Sequence, residues 1–180
     1  MNRKSRRLMV ISVLLTPLLA ACIPHARVFH QVEAPGAVHS GEICRVGARA
    51  VSRFPIDGLE VVININPVDR LPWLWLLTDP ADVLSLDQPF VSIELVEEER
   101  SEHLQFHPYR TVVLADGRLE GEYHSRLERQ VYRFRADRPL KPGRAGEIVF
   151  PELSLNGQTV APARHRYTRR HFLGVLPLNC

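Results

Sequence analysis

Leu59-Glu60-Val61-Val62-Ile63-Asn64-Ile65-Asn66 sets Leu59, Val61, Ile63 and Ile65 on one face at a period of two, and stops at Pro67. That period, with β-branched residues and a proline stop, is the pattern of a β-strand with one face in a core. Moving outward, Phe90-Val91-Ser92-Ile93-Glu94-Leu95-Val96 repeats it. Thr111 to Ala115 and Arg118 to His124 flank Asp116-Gly117, and Leu153-Ser154-Leu155 and Gln158-Thr159-Val160 flank Asn156-Gly157. Both dipeptides accept the positive φ values of a type I′ hairpin turn. Two hairpins, several further short strands and 14 prolines favour an all-β fold, expected as an antiparallel β-sandwich of immunoglobulin-like or similar type, over an α/β fold.

Two segments resist a pure strand reading. Thr78-Asp79-Pro80-Ala81-Asp82 offers an N-cap followed by an early proline, so a short helix is expected over residues 80–86. Ser125-Arg126-Leu127-Glu128 has capping-box spacing, but Val131, Tyr132 and Phe134 favour a strand through Gln130 to Arg135. Leu71-Pro72-Trp73-Leu74-Trp75-Leu76-Leu77 holds both tryptophans in an apolar run. A strand buried on both faces explains it most simply; the alternative leaves Trp73 and Trp75 exposed as a partner or membrane contact.

The chain of 180 residues carries 23 Lys and Arg against 20 Asp and Glu, a formal +3. Arg3, Lys4, Arg6 and Arg7 precede an apolar run from Leu8 to Ala21, the order of an export signal and too short to span a bilayer. Residues 1–21 hold four of the bases and none of the acids, so 22–180 retain 19 bases and 20 acids, a sum of −1. The basic excess belongs to the leader and is no argument for nucleic acid. Residues 22–40, with Pro24, Pro35 and Gly36, read as a flexible tether, and 41–180 as a single domain.

Leu19-Ala20-Ala21-Cys22 resembles the lipobox of bacterial lipoproteins. The resemblance covers the leader and cleavage site alone; no family is recognised for the rest of the chain. It implies cleavage before Cys22, a diacylglycerol thioether on its sulfur, and an acyl chain such as palmitate on its α-amine. It also implies a lipid-anchored protein facing the periplasm. Ile23 stands where an Asp would commonly signal inner-membrane retention, which by the same resemblance favours the outer membrane. Ser5-Arg6-Arg7-Leu8-Met9-Val10 also resembles a twin-arginine leader but lacks its aromatic-Leu-Lys continuation.

In an oxidising compartment Cys44 and Cys180 are expected to pair, for about 4 to 5 kcal/mol on a chain-entropy model. No catalytic motif stands out. His103 and His107 have the spacing of a zinc helix, but Leu104 replaces the general-base Glu, and on a strand they would lie about 13 Å apart. No metal or cofactor is expected, and the protein reads as non-catalytic. Residues 22–102 sum to −7 and 103–180 to +6, which suggests two oppositely charged faces or a solvated charged surface. The basic half ends in Arg164, Arg166, Arg169 and Arg170, which with Trp73 and Trp75 are the candidate contacts for an envelope protein or an anionic envelope component.

The expected function is a binding or structural accessory component of the cell envelope. Alternatives are a small periplasmic ligand-binding or hydrolytic protein that groups His103, His107, His124 and acids in space, and a periplasmic inhibitor of a toxic enzyme.

Overall fold

The computed structural model describes residues 22–41, 50–65 and 71–177. Sixteen strands follow one another: β1 Cys22–Glu33, β2 Val38–Ser40, β3 Val51–Ile56, β4 Leu59–Asn64, β5 Trp73–Thr78, β6 Leu84–Ser85, β7 Val91–Val96 and β8 Ser101–Pro108. After them come β9 Val112–Val113, β10 Leu119–Glu120, β11 Glu122–His124, β12 Arg129–Ala136, β13 Ala145–Val149, β14 Leu153–Leu155, β15 Gln158–Val160 and β16 Arg164–Pro177. The fold is all-β and antiparallel, as the periodicity indicates.

Eleven strands form one sheet in the order β1-β16-β13-β7-β8-β12-β5-β4-β3-β2, with β11 added beside β12. The sheet curls until its first strand approaches β3, where the Val32 N–H donates to Ser52 Oγ at 2.9 Å. The result is a nearly closed barrel rather than two stacked layers. Its interior takes alternate residues of each strand, including Phe54, Leu59, Val61, Ile63, Leu74, Leu76, Phe106, Tyr132 and Phe134, all essentially inaccessible. A small sheet, β15-β14-β6, adds Leu84, Leu153 and Val160 to this core.

Turn chemistry sets the registers. Asn156 (φ 55°) and Gly157 (φ 75°) both take the left-handed conformation of a type I′ turn, as do Asp57 (φ 41°) and Gly58 (φ 82°) between β3 and β4. The Asp116-Gly117 turn differs from expectation. Only Gly117 has positive φ, Gly117 N–H donates to Leu114 O and Leu114 N–H to Arg118 O, so the loop is one residue longer than a type I′ hairpin. A Cβ on Gly117 would lie 2.5 Å from the Leu86 carbonyl, so glycine is required there.

Three further expectations are corrected. No helix forms over residues 80–86: Asp82 N–H closes a single turn onto Asp79 O, and Leu84 and Ser85 then pair with β14. Leu84 and Leu86 are core residues at strand spacing, and that burial overrides the local cap signal. Residues 22–40 carry two strands, because Cys22 to Glu33 finds a full-length partner in Arg166 to Pro177, a pairing between opposite ends of the chain. The acidic and basic halves separate only in part. Strands β1 and β7 lie against β16, β13 and β8, so acids and bases interleave there, whereas β5, β4, β3 and β2 of the acidic half stand together beyond β12. Cys44 and Cys180 lie outside the described residues.

Candidate functional site

Strand β5 alternates Leu74 and Leu76 into the barrel with Trp73 and Trp75 outward. The tryptophans are therefore half-buried on the outer face, and the reading of this run as buried on both faces is corrected. The reason is the ladder. Neighbouring strands offer outward-facing side chains at the same level, Val62 and Arg133 beside Trp75 and Asn64 and Arg135 beside Trp73. Trp73 and Trp75 lie 5.0 Å apart between ring centroids, and together with Val51, Val62, Leu77 and Val131 they form a second apolar cluster outside the barrel.

Arginines cover the rings. Arg133 lies over Trp75 at 5.1 Å from its centroid and forms an ion pair with Glu122. Its Nε is buried with no hydrogen-bond partner among the described residues. Two residues along the same strand, Arg135 lies over Tyr109 at 4.0 Å, and Arg110 approaches the same ring at 5.7 Å. Such stacking is worth about 0.5 to 1 kcal/mol at exposed sites and holds the guanidinium plane against the ring.

The segment that carries Tyr109 is bound to β12. Tyr109 N–H donates to Arg133 O at 2.7 Å, and Thr111 Oγ1 accepts from Arg133 N–H at 2.7 Å. Between these anchors Arg110 takes φ 56°, a left-handed conformation that costs a side-chain-bearing residue roughly 1 to 2 kcal/mol. Among the described residues no carboxylate lies within ion-pair distance of Arg110 or Arg135.

The basic strand singled out in the sequence is differently placed. Arg164 pairs with Glu147 at 2.5 Å and Arg170 with Glu33 at 2.9 Å. Arg166 sits in register between Glu33 of β1 and Glu147 of β13. Arg169 lies opposite His30 in the β1 ladder, away from the tryptophans' strand. The structure thus keeps Trp73 with Trp75 but does not bring Arg164 to Arg170 to them.

His103 and His107 stand exposed on β8, and His107 packs against Phe90 at 5.7 Å between centroids. His124 lies on β11, away from both. His165 packs edge-on to Phe54 at 5.0 Å, and burial lowers its pKa. Among the described residues no three His, Cys, Asp or Glu side chains gather as a metal site would require.

The closest grouping of ionisable side chains was not legible in the sequence. Glu97 Oε1 accepts from Tyr167 OH at 2.5 Å and from Gly143 N–H at 2.6 Å, while Oε2 accepts from Arg100 Nε at 2.7 Å. His30 donates through Nε2 to the Gly143 carbonyl at 2.9 Å and meets the Tyr167 ring edge-on. Burial alone would raise the Glu97 pKa, but the bonds from Arg100, Tyr167 and Gly143 outweigh it and hold the group at about 2. Tyr167 is pushed up, by burial and then by the carboxylate. A Cβ on Gly146 would lie 2.8 Å from the Tyr167 hydroxyl, so this glycine makes room for the bond. Every oxygen of Glu97 is engaged in holding the loops after β7 and before β13 to β16; the arrangement is a structural latch.

An open cleft of about 500 Å³ adjoins the turn between β3 and β4. Its charged side chains are occupied, Arg53 by Glu60 and Arg129 by Asp79. No family model matches the chain, and neither the curated proteins nor the solved structures contain one that is significantly similar to it.

Proposed function

We propose that the protein is an outer-membrane lipoprotein whose barrel faces the periplasm and serves as a non-catalytic binding or structural component of the cell envelope. The observation that carries the reading is the ordered leader, with its basic start, apolar run and Leu19-Ala20-Ala21-Cys22. Acyl chains contribute about 0.8 kcal/mol per buried CH₂, so three chains on Cys22 would hold the protein at a bilayer.

The fold is compatible with that attachment and changes its form. Strand β1 starts at Cys22, opposite Pro177. Because β13 pairs with β16 only as far as Thr168 and Arg169 N–H still donates to Arg144 O, Arg170 to Pro177 have β1 as their only ladder partner among the described residues. Eight residues at strand rise form a ribbon on the order of 25 Å long. A lipid on Cys22 would lie at its far end, so a two-stranded stalk takes the place of a flexible tether.

The test is to express the full precursor in a Gram-negative host fed with labelled palmitate. The expected result is label in the protein and recovery with the outer membrane, both lost in Cys22→Ser. An unlabelled protein that is soluble in the periplasm overturns the reading.

A further inference from the structure

We propose that the outer face built from Trp73, Trp75, Tyr109, Arg110, Arg133 and Arg135 is a docking surface for an acidic, partly apolar segment of a partner protein. This assignment rests on the reading of the protein as a binding component and names the class of partner.

Three observations converge on it. Trp73 and Trp75 are half-buried and outward, joined to the apolar cluster of Val51, Val62, Leu77 and Val131. Arg110 and Arg135, stacked on Tyr109 across β12 from the tryptophans, have no carboxylate partner among the described residues, whereas Arg133 over Trp75 is already paired with Glu122. Arg110 is held in a left-handed conformation by the bonds that fix Tyr109 and Thr111 to β12. Strained backbone of this kind persists where the surrounding structure over-determines it, and it clusters at ligand clamps.

The chemistry of the occupant follows from what each group has left to offer. The rings of Trp75 and Tyr109 each carry a guanidinium, so those covered faces are not free to stack a sugar or a base. A guanidinium lying flat on a ring keeps its N–H edge for a carboxylate, which it can bind through two parallel hydrogen bonds. The tryptophan cluster beside these cations needs apolar side chains to exclude water from it. Trp, Tyr and Arg are also the residues that dominate the binding energy of protein interfaces. A polypeptide that alternates carboxylates with apolar groups meets both requirements, whereas a phosphate headgroup meets only the first.

The chain contains two tryptophans, both in this surface, so its intrinsic fluorescence reports on this place alone. The experiment titrates the full-length acylated protein in detergent micelles with a synthetic peptide alternating Glu and Leu. A Gln-for-Glu version of the peptide and phosphatidylglycerol vesicles form the other arms. The expected result is a saturable blue shift with the Glu peptide, weakened by salt and absent with the Gln peptide. Affinity should fall about tenfold or more in the double variant Arg110→Gln, Arg135→Gln with an unchanged melting temperature. Should the double variant fold poorly, the salt dependence and the Gln peptide decide alone. An equal response to both peptides, a response to the vesicles only, or no response overturns the assignment. Loss of palmitate labelling with peptide binding intact would remove the envelope placement and leave this surface standing. Labelling without peptide binding would remove the surface alone.

Discussion

Strands β12 and β16 are both rich in arginine, and they use it in opposite ways. Along β16, Arg164 and Arg170 meet Glu147 and Glu33 from the strands on either side, and Arg166 lies between the same two acids in the ladder. Along β12, the outward arginines Arg133 and Arg135 have Trp75, Trp73 and Tyr109 as neighbours. One strand spends its charge inside the sheet; the other keeps part of it for the outside. A run of basic residues therefore says little about where a protein is electropositive until the facing strands are known, since cross-strand partners at about 5 Å decide it.

The contrast can be broken at its most buried point first. Strand β16 depends on the Glu97 latch, and Glu97→Ala would leave the Tyr167 hydroxyl and the Gly143 N–H without their acceptor. Two orphaned donors predict a loss on the order of 3 kcal/mol in chemical denaturation. The wild-type dependence on acid follows from the same group. Its pKa is lowered from 4.5 to about 2 in the folded state, so its contribution is complete above about pH 4.5 and disappears as pH falls towards 2. Glu97→Gln should flatten the stability profile across that window.

On β12 the effects are smaller. Arg133→Ala removes the stack on Trp75 and the pair with Glu122, for about 1 kcal/mol, and should alter tryptophan emission as well as the denaturation midpoint. Arg110→Gly should go the other way. Glycine accepts φ 56° without penalty, so stability should be unchanged or up to about 1 kcal/mol higher, at the expense of docking. Arg164→Ala, which breaks a pair exposed on both sides, should cost less than about 0.5 kcal/mol and so mark the passive character of the β16 arginines.

What could be read from the sequence divides along the same physical line. Strands β4, β7 and β12 and the Asn156-Gly157 turn are encoded locally, by a period of two or by a dipeptide, and they stand where the pattern indicates. The Asp57-Gly58 turn between β3 and β4 rests on a dipeptide of the same kind. Strand β1 had no such signal. Phe29 and Val32 are separated by His30 and Gln31, and the strand exists because residues more than 130 positions away pair with it. The latch joins Glu97 to Tyr167 across 70 positions, and Arg135 reaches Tyr109 in the bend after β8. The Trp73 and Trp75 run was legible as a site candidate, but which face it presented depended on how the sheet curls to take Leu74 and Leu76 inside. That is a property of barrel closure, on which local alternation is silent.

The claim on which the rest depends is that both tryptophans stand on an electropositive outer face. Collisional quenching tests it directly, with iodide and caesium as probes of equal charge and opposite sign. The expected result is efficient quenching by iodide and weak quenching by caesium, with the difference reduced in the Arg110→Gln, Arg135→Gln double variant. Blue-shifted emission that neither ion quenches would mean that the tryptophans are buried on both faces, and would contradict the docking surface altogether.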